Sequence, residues 1–260
     1  MGSSNTPPSP LPQFPMPPPS QPELTATQRS ASTNQTCTLT PSLVEVEGTP
    51  QQIEGPYFVD DMPNRSDIRS DISNGSVQEG IPLHLILHVY EVNEIEVDGT
   101  GSCTPLKDAK VDIWHSNSQG VYSGVRDDGT AENDFLRGYQ MTDNNGTVEF
   151  TSIYPGWYED RAIHIHIKVG TYEGSNETLE WTSQFYFNNS INELVHTQPP
   201  YSNHGPVPMT NEEDFIYTGP STDGLVQINT GQHLLLKPNK DDPGYTATFN
   251  IGLNASQSGQ

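Results

Sequence analysis

The chain has 260 residues, enough for one large domain or two small ones, and 32% of them are hydrophobic. Its 33 acidic against 11 basic residues give a formal net charge of -22, which argues against nucleic acid or an anionic membrane as partner. No apolar run reaches the roughly 18 residues of a membrane-spanning helix, and two cysteines, Cys37 and Cys103, are too few for a zinc ribbon or an iron–sulfur cluster.

Residues 1–36 read as a disordered Pro-rich tail. Nine prolines lie between Pro7 and Pro22 among Ser and Gln, a composition that favours polyproline II and cannot bury a core. Such a tail is a spacer or a ligand for a Pro-reading partner. It carries no apolar centre of a signal peptide, which fits an intracellular chain or one whose leader has been removed. Residues 37–260 read as one folded domain. Cys37 and Cys103 fit a single disulfide or two free thiols. The disulfide would place the chain in an oxidising compartment, extracellular or periplasmic. Sequons at Asn34, Asn64, Asn74, Asn176 and Asn254 point the same way, although such triplets also arise by chance.

The folded part reads as β. Leu83, Leu85, Leu87 and Val89 alternate with His84, Ile86, His88 and Tyr90, a period of two. Further strands are expected at Lys110–His115, Thr147–Ile153, Ala162–Val169, Trp181–Phe187, Gln232–Lys237 and Tyr245–Leu253. Turn chemistry separates them at Asp128-Gly129, Asn145-Gly146, Pro155-Gly156 and Asp242-Pro243-Gly244. Few stretches carry a helical apolar period. Short strands between turns argue for an all-β sandwich or barrel. The long charged loop from Ser123 to Leu136 has the character of a loop that covers a site.

His164 and His166 stand two apart on an expected strand, so both imidazoles face one side. That pair suits a metal, or is structural. The flanking Ile163, Ile165 and Ile167 favour burial of the other face. Two sets of further ligands are open. Glu159 or Asp160 would complete a site of two histidines and a carboxylate for Fe(II) or Zn. Tyr122 and Tyr158 would need to lose protons with pKa near 10, which a trivalent hard cation enforces. Arg161 is one of only 11 basic residues. It is either a site cation or a surface partner of Glu159 or Asp160. A non-enzymatic sandwich that binds ligands is the reading from another class.

Three ordered stretches carry a resemblance. They are Val111-Asp-Ile-Trp-His-Ser-Asn-Ser-Gln-Gly-Val-Tyr122-Ser-Gly, Arg137-Gly-Tyr-Gln-Met-Thr-Asp-Asn-Asn-Gly146, and Tyr154-Pro-Gly-Trp-Tyr158-Glu-Asp-Arg161-Ala-Ile-His164-Ile-His166. With Thr49-Pro-Gln-Gln-Ile-Glu-Gly-Pro-Tyr57-Phe and Ser183-Gln184-Phe-Tyr-Phe187, they resemble the intradiol ring-cleavage dioxygenases, from about Cys37 to Leu253. The resemblance implies a β-sandwich of mostly antiparallel strands, with a prealbumin/transthyretin-like core and long loops forming the active site. It implies that 37–260 is the catalytic domain and holds one Fe(III) per chain through Tyr122, Tyr158, His164 and His166. Tyr122 and His164 would stay bound, while Tyr158 would leave the metal when substrate arrives and accept a proton. Arg161 would stabilise negative charge on the substrate, Gln184 would shape the site, and Pro56 and Tyr57 would form the pocket wall. The implied reaction uses O2 to split a catechol-type ring between its hydroxylated carbons, giving a cis,cis-muconate-type diacid in aromatic catabolism. The N-terminal helical dimerisation region of the catechol 1,2-dioxygenases is replaced here by the Pro-rich tail. The chain looks closer to the single-chain, often extracellular members, as a monomer or a homodimer. Substrate discrimination is expected in Ser123–Leu136 and in His196–Tyr217.

Overall fold

Period-two burial organises the structure, a computed structural model that describes residues 35–36, 48–95, 101–126, 128–174, 176–224 and 227–254. The expected tail lies outside the described residues except for Gln35–Thr36, and so do Cys37 and Asn34. The strands are β1 (Gln35–Thr36), β2 (Pro82–Ile95), β3 (Gly101–Pro105), β4 (Lys110–Trp114), β5 (Arg137–Met141), β6 (Thr147–Ile153), β7 (His164–Glu173), β8 (Asn176–Tyr186), β9 (Asn239–Asp241) and β10 (Gly244–Asn254).

They form two sheets. The first runs β1-β3-β2-β10-β9, with β6 sharing the β3 side of β2; the second runs β5-β4-β7-β8. The β2–β10 pair is parallel and the remaining pairs are antiparallel. Leu83, Leu85, Leu87 and Val89 turn inward from the first sheet, with Phe150, Ala247, Phe249 and Ile251 beside them. Val111, Ile113, Ile165, Ile167, Val169, Trp181 and Phe185 meet them from the second, and the Phe185 and Phe249 rings stand 4.6 Å apart. Each such aliphatic or aromatic side chain contributes roughly 1.5–3 kcal/mol on burial. That apolar layer is what holds the two sheets together. Cys103 on β3 is fully buried and disulfide-bonded.

The other face of the second sheet is not apolar. Strand register aligns Arg137 with Trp114, Trp114 with His166, and His166 with Gln184, so one cross-strand row carries four chemically capable side chains. His164 lies opposite Tyr186 in the next row on that face. Gly55, Tyr57, Tyr122, Tyr158 and Asp214, all outside the strands, stand against residues at this face.

Two elements depart from the sequence expectation. Gln232–Lys237 is not a strand: Thr230–Leu234 is a 3-10 helix, and Leu235 makes a single bridge to Tyr186. Gly231 lies flat on the Tyr217 ring, where a Cβ would stand 2.1 Å from Cδ2, so this contact draws the segment against Tyr217 and Tyr186 rather than along a sheet edge. Asn189–His196 forms a helix, α1, started by Asn188, whose side chain accepts from Ser190 N at 3.0 Å. Its apolar residues Ile191, Leu194 and Val195 stand at helical spacing, but a run of only eight residues is too short to mark a helix in the sequence.

Candidate active site

Turns deliver the expected residues to the polar face of the second sheet. Gly156 N donates to Asn117 O at 3.0 Å and Ser116 Oγ donates to Gly156 O at 2.8 Å, which folds the Pro-Gly-Trp turn back over β4. Asp160 then takes a left-handed φ of 65°, and Arg161 enters buried. On the second loop, Asn117 Oδ1 accepts from Gln119 N and Val121 N, each at 3.0 Å, and Thr130 Oγ1 donates to Tyr122 O at 2.6 Å. These bonds fix the backbone from which Tyr122 projects.

The four expected ligands meet. The Nε2 atoms of His164 and His166 are 3.0 Å apart, and the Tyr158 hydroxyl is 3.2 Å from His164 Nε2. The Tyr122 ring centroid lies 5.5 Å from that of Tyr158 and 6.1 Å from that of His166. His164 Nδ1 is 2.6 Å from Ala162 O. A carbonyl only accepts, so Nδ1 carries the proton and Nε2 presents its lone pair to the cluster. His166 stacks on Trp114 at 4.9 Å and 6°, and Gly55 closes its other side, where a Cβ would approach Cε1 to 3.2 Å. Its Nδ1 has no hydrogen-bond partner, although the atom is buried.

The Tyr122 hydroxyl is also buried without a hydrogen bond of ordinary geometry, though Tyr158 stands close enough to oppose its ionisation. Burial pushes the Tyr122 phenol well above its usual pKa, and burial also raises that of Tyr158, with Arg161 opposing in both cases. Burial, and then Arg161, hold both imidazoles well below the usual histidine range, so both are neutral at pH 7. The set therefore offers two neutral nitrogens and two reluctant phenols. It fits a hard, strongly Lewis-acidic cation that displaces phenol protons. Two buried polar atoms without partners, the Tyr122 hydroxyl and His166 Nδ1, sit in or beside the cluster. Glu159 and Asp160 are exposed, and among the described residues no group of three His, Cys, Asp or Glu converges. The arrangement of two histidines and a carboxylate is thus not formed.

Arg161 is buried, and its ion pair is with Asp214 rather than with Glu159 or Asp160. Nε donates to Asp214 Oδ2 at 2.9 Å. Nη1 points at the Tyr158 hydroxyl (3.4 Å) and His164 Nε2 (3.5 Å), and Nη2 donates to Gln184 Oε1. Burial works against this charge, but Tyr158, Tyr186 and Asp214 outweigh it, and the guanidinium pKa is raised. Gln184 Nε2 donates to Ile53 O at 2.9 Å, while Tyr186 donates to Gln184 Oε1 at 3.1 Å and to Gln52 Oε1 at 2.9 Å. Tyr57 stacks on Tyr122 at 4.4 Å, and Pro56 is exposed beside it.

Sequence reasoning did not find Asp214, which lies 53 residues from Arg161 in a segment without a motif. It also passed over Trp114, Gly55 and Gln52, although all three stand inside the quoted stretches. For Trp114, the register with His166 was the available signal.

The sequence model of the Dioxygenase family matches residues 53–197. A chlorocatechol 1,2-dioxygenase of Cupriavidus pinatubonensis is 30% identical over 159 residues, covering 54% of this chain and 55% of its own length. A catechol 1,2-dioxygenase of Acinetobacter baylyi is 34% identical over 110 residues, covering 42% and 32%. The chain thus spans about half the length, or less, of these curated relatives. An intradiol ring-cleavage dioxygenase of Tetranychus urticae is structurally similar at a TM-score of 0.63 and 27% identity, covering 84% of this chain and 96% of its own. The dioxygenase domain of a dioxygenase carbohydrate-binding fusion from Streptomyces sp. SirexAA-E gives 0.52 at 25% identity, covering 80% and 98%.

Proposed function

Because the chain belongs to the Dioxygenase family, we propose that it is a non-haem Fe(III) intradiol dioxygenase that uses O2 to cleave a catechol-type ring between its hydroxylated carbons. One observation carries the reading. The Tyr158 hydroxyl, both His Nε2 atoms and the Arg161 guanidinium converge within 3.5 Å steps beside a buried, unpartnered Tyr122 hydroxyl. Tyr122, Tyr158, His164 and His166 would hold the ion. Ferric iron held there would supply Lewis acidity toward the catechol.

The chain's own groups divide the remaining work. Tyr122 is fully buried behind Tyr57 and serves as the permanent phenolate. Tyr158 is only partly buried and lies near the guanidinium, so of the two phenols it is the one whose oxygen would take a catechol proton. Arg161, held by Asp214 and Gln184, places a fixed positive charge where the ring becomes electron-rich. A preorganised charge of this kind stabilises a transition state without reorganisation at the moment of reaction. Gln184 keeps Nη2 of Arg161 in place through a bond anchored on Ile53 O. Pro56 and Tyr57 form the wall against which the flat ring lies. The two hydroxylated carbons become the two carboxylates of a cis,cis-muconate-type diacid, which equals catechol plus both atoms of O2. The test is oxygen uptake by the iron-loaded protein over a panel of catechols. Uptake matched by diacid formation supports the reading, and no uptake with any catechol contradicts it.

We also propose an oxidising compartment, supported by the disulfide-bonded Cys103. Its check is the protein's mass under non-reducing conditions after recovery from its native source.

A further inference from the structure

Arg137 opens β5 at the end of the cross-strand row that contains Trp114, His166 and Gln184. It is 2% exposed. Its guanidinium donates to two segments of the site. Nε donates to Ser123 Oγ at 2.8 Å, Nη2 donates to Ser123 O, and Nη1 donates to Tyr57 O at 3.0 Å. Ser123 Oγ in turn donates to Phe135 O at 2.5 Å, so the clamp reaches into the loop that covers the site. Ser123 follows Tyr122 directly, and the Tyr57 and Tyr122 rings are stacked. One side chain therefore ties down both tyrosines of that stack from behind.

Its charge is the second half of the argument. Among the described residues, none of the ion pairs includes Arg137. A buried cation held by carbonyl and hydroxyl dipoles alone is costly. Arg161, the other buried guanidinium of the site, differs because Asp214 faces it at 2.9 Å. Asp134, the carboxylate that acts on Arg137, is itself paired with Arg65, so the forked hydrogen bonds to Ser123 and Tyr57 are what hold the Arg137 charge in place.

We propose that Arg137 is a positioning residue for Tyr122, fixing the stacked Tyr57–Tyr122 pair through the backbone of both segments. This rests on the Fe(III) reading of the site.

The experiment compares wild type, Arg137→Met and Arg137→Lys by Fe(III) titration of the metal-free protein, read by bound iron and by the visible phenolate absorption. Arg137→Met is expected to bind Fe(III) at least about tenfold more weakly, about 1.4 kcal/mol, with a displaced absorption maximum. Arg137→Lys, which keeps the charge but not the fork, is expected to recover part of the affinity. In a Tyr158→Phe background, which keeps most of its iron, Arg137→Met should weaken iron binding by the same factor as in the wild type, because it acts through Tyr122. Wild-type affinity and an unshifted band in Arg137→Met would overturn the proposal while leaving the Fe(III) reading intact. A loss of iron with an unshifted phenolate band would also overturn it, since the residue would then be merely structural. If Arg137→Met does not fold, Arg137→Lys decides: an unchanged band and affinity contradict the backbone clamp. A wild type that binds no Fe(III) removes both readings.

Discussion

Tyr122 and Tyr158 are chemically identical and sit in different surroundings, and that difference separates their roles. Tyr122 is 1% exposed with an unpartnered hydroxyl, whereas the Tyr158 hydroxyl already touches His164 and Arg161. Tyr122→Phe should therefore cost the iron itself, measured as bound metal per chain. Tyr158→Phe should keep most of the iron and lower kcat by on the order of 10²-fold, the scale of losing a positioned proton acceptor. Asp214→Asn tests the support of Arg161. Breaking a buried ion pair from one side costs about 3–5 kcal/mol, read as a lower denaturation midpoint, with turnover falling as Arg161 loses its alignment. At this scale the sequence was informative where residues are close along the chain. Tyr158, Arg161, His164 and His166 lie within nine positions, and strand periodicity alone places the two histidines on one face. Asp214 was out of reach of such reasoning, because its contact with Arg161 exists only after the 201–235 segment has folded over the sheet.

Strand β7 separates stability from function by alternation. Ile165 and Ile167 face the apolar core, while His164 and His166 face the site. Ile165→Ala is expected to cost about 2–5 kcal/mol through the cavity it leaves, with iron stoichiometry retained in the folded fraction. His166→Ala should instead abolish iron binding with a much smaller change in the denaturation midpoint of the metal-free protein. The pair measures the two faces independently. Period-two burial was legible for β2, where Leu83, Leu85, Leu87 and Val89 are buried, and for β6, where Val148, Phe150 and Ser152 are buried. It misled at Gln232–Lys237, where Leu234 and Leu236 are buried on either side of Leu235 but the Gly231–Tyr217 contact sets the backbone. α1 was illegible for the opposite reason, since its buried positions include Asn192 and His196, which no apolar pattern would mark.

At the scale of the whole molecule, the net charge of -22 shapes behaviour more than fold. Self-repulsion on this surface should weaken as salt shortens the Debye length to about 8 Å at physiological ionic strength. The thermal midpoint is accordingly expected to rise between low salt and physiological salt; a midpoint that falls would mean that specific surface ion pairs outweigh the repulsion. An all-β sandwich or barrel was legible from turns and alternation, and the order of strands was not, because the parallel β2–β10 pairing joins strands far apart in the chain. The central claim is that this sandwich presents two phenolates and two imidazoles to one ferric ion that then binds a catechol. The most direct measurement is the visible spectrum of the Fe(III)-loaded protein before and after adding catechol without oxygen. The account predicts a phenolate-to-iron band in the wild type, absent in Tyr122→Phe, that changes when catechol binds. A colourless protein holding stoichiometric zinc, or a spectrum indifferent to catechol, would contradict it.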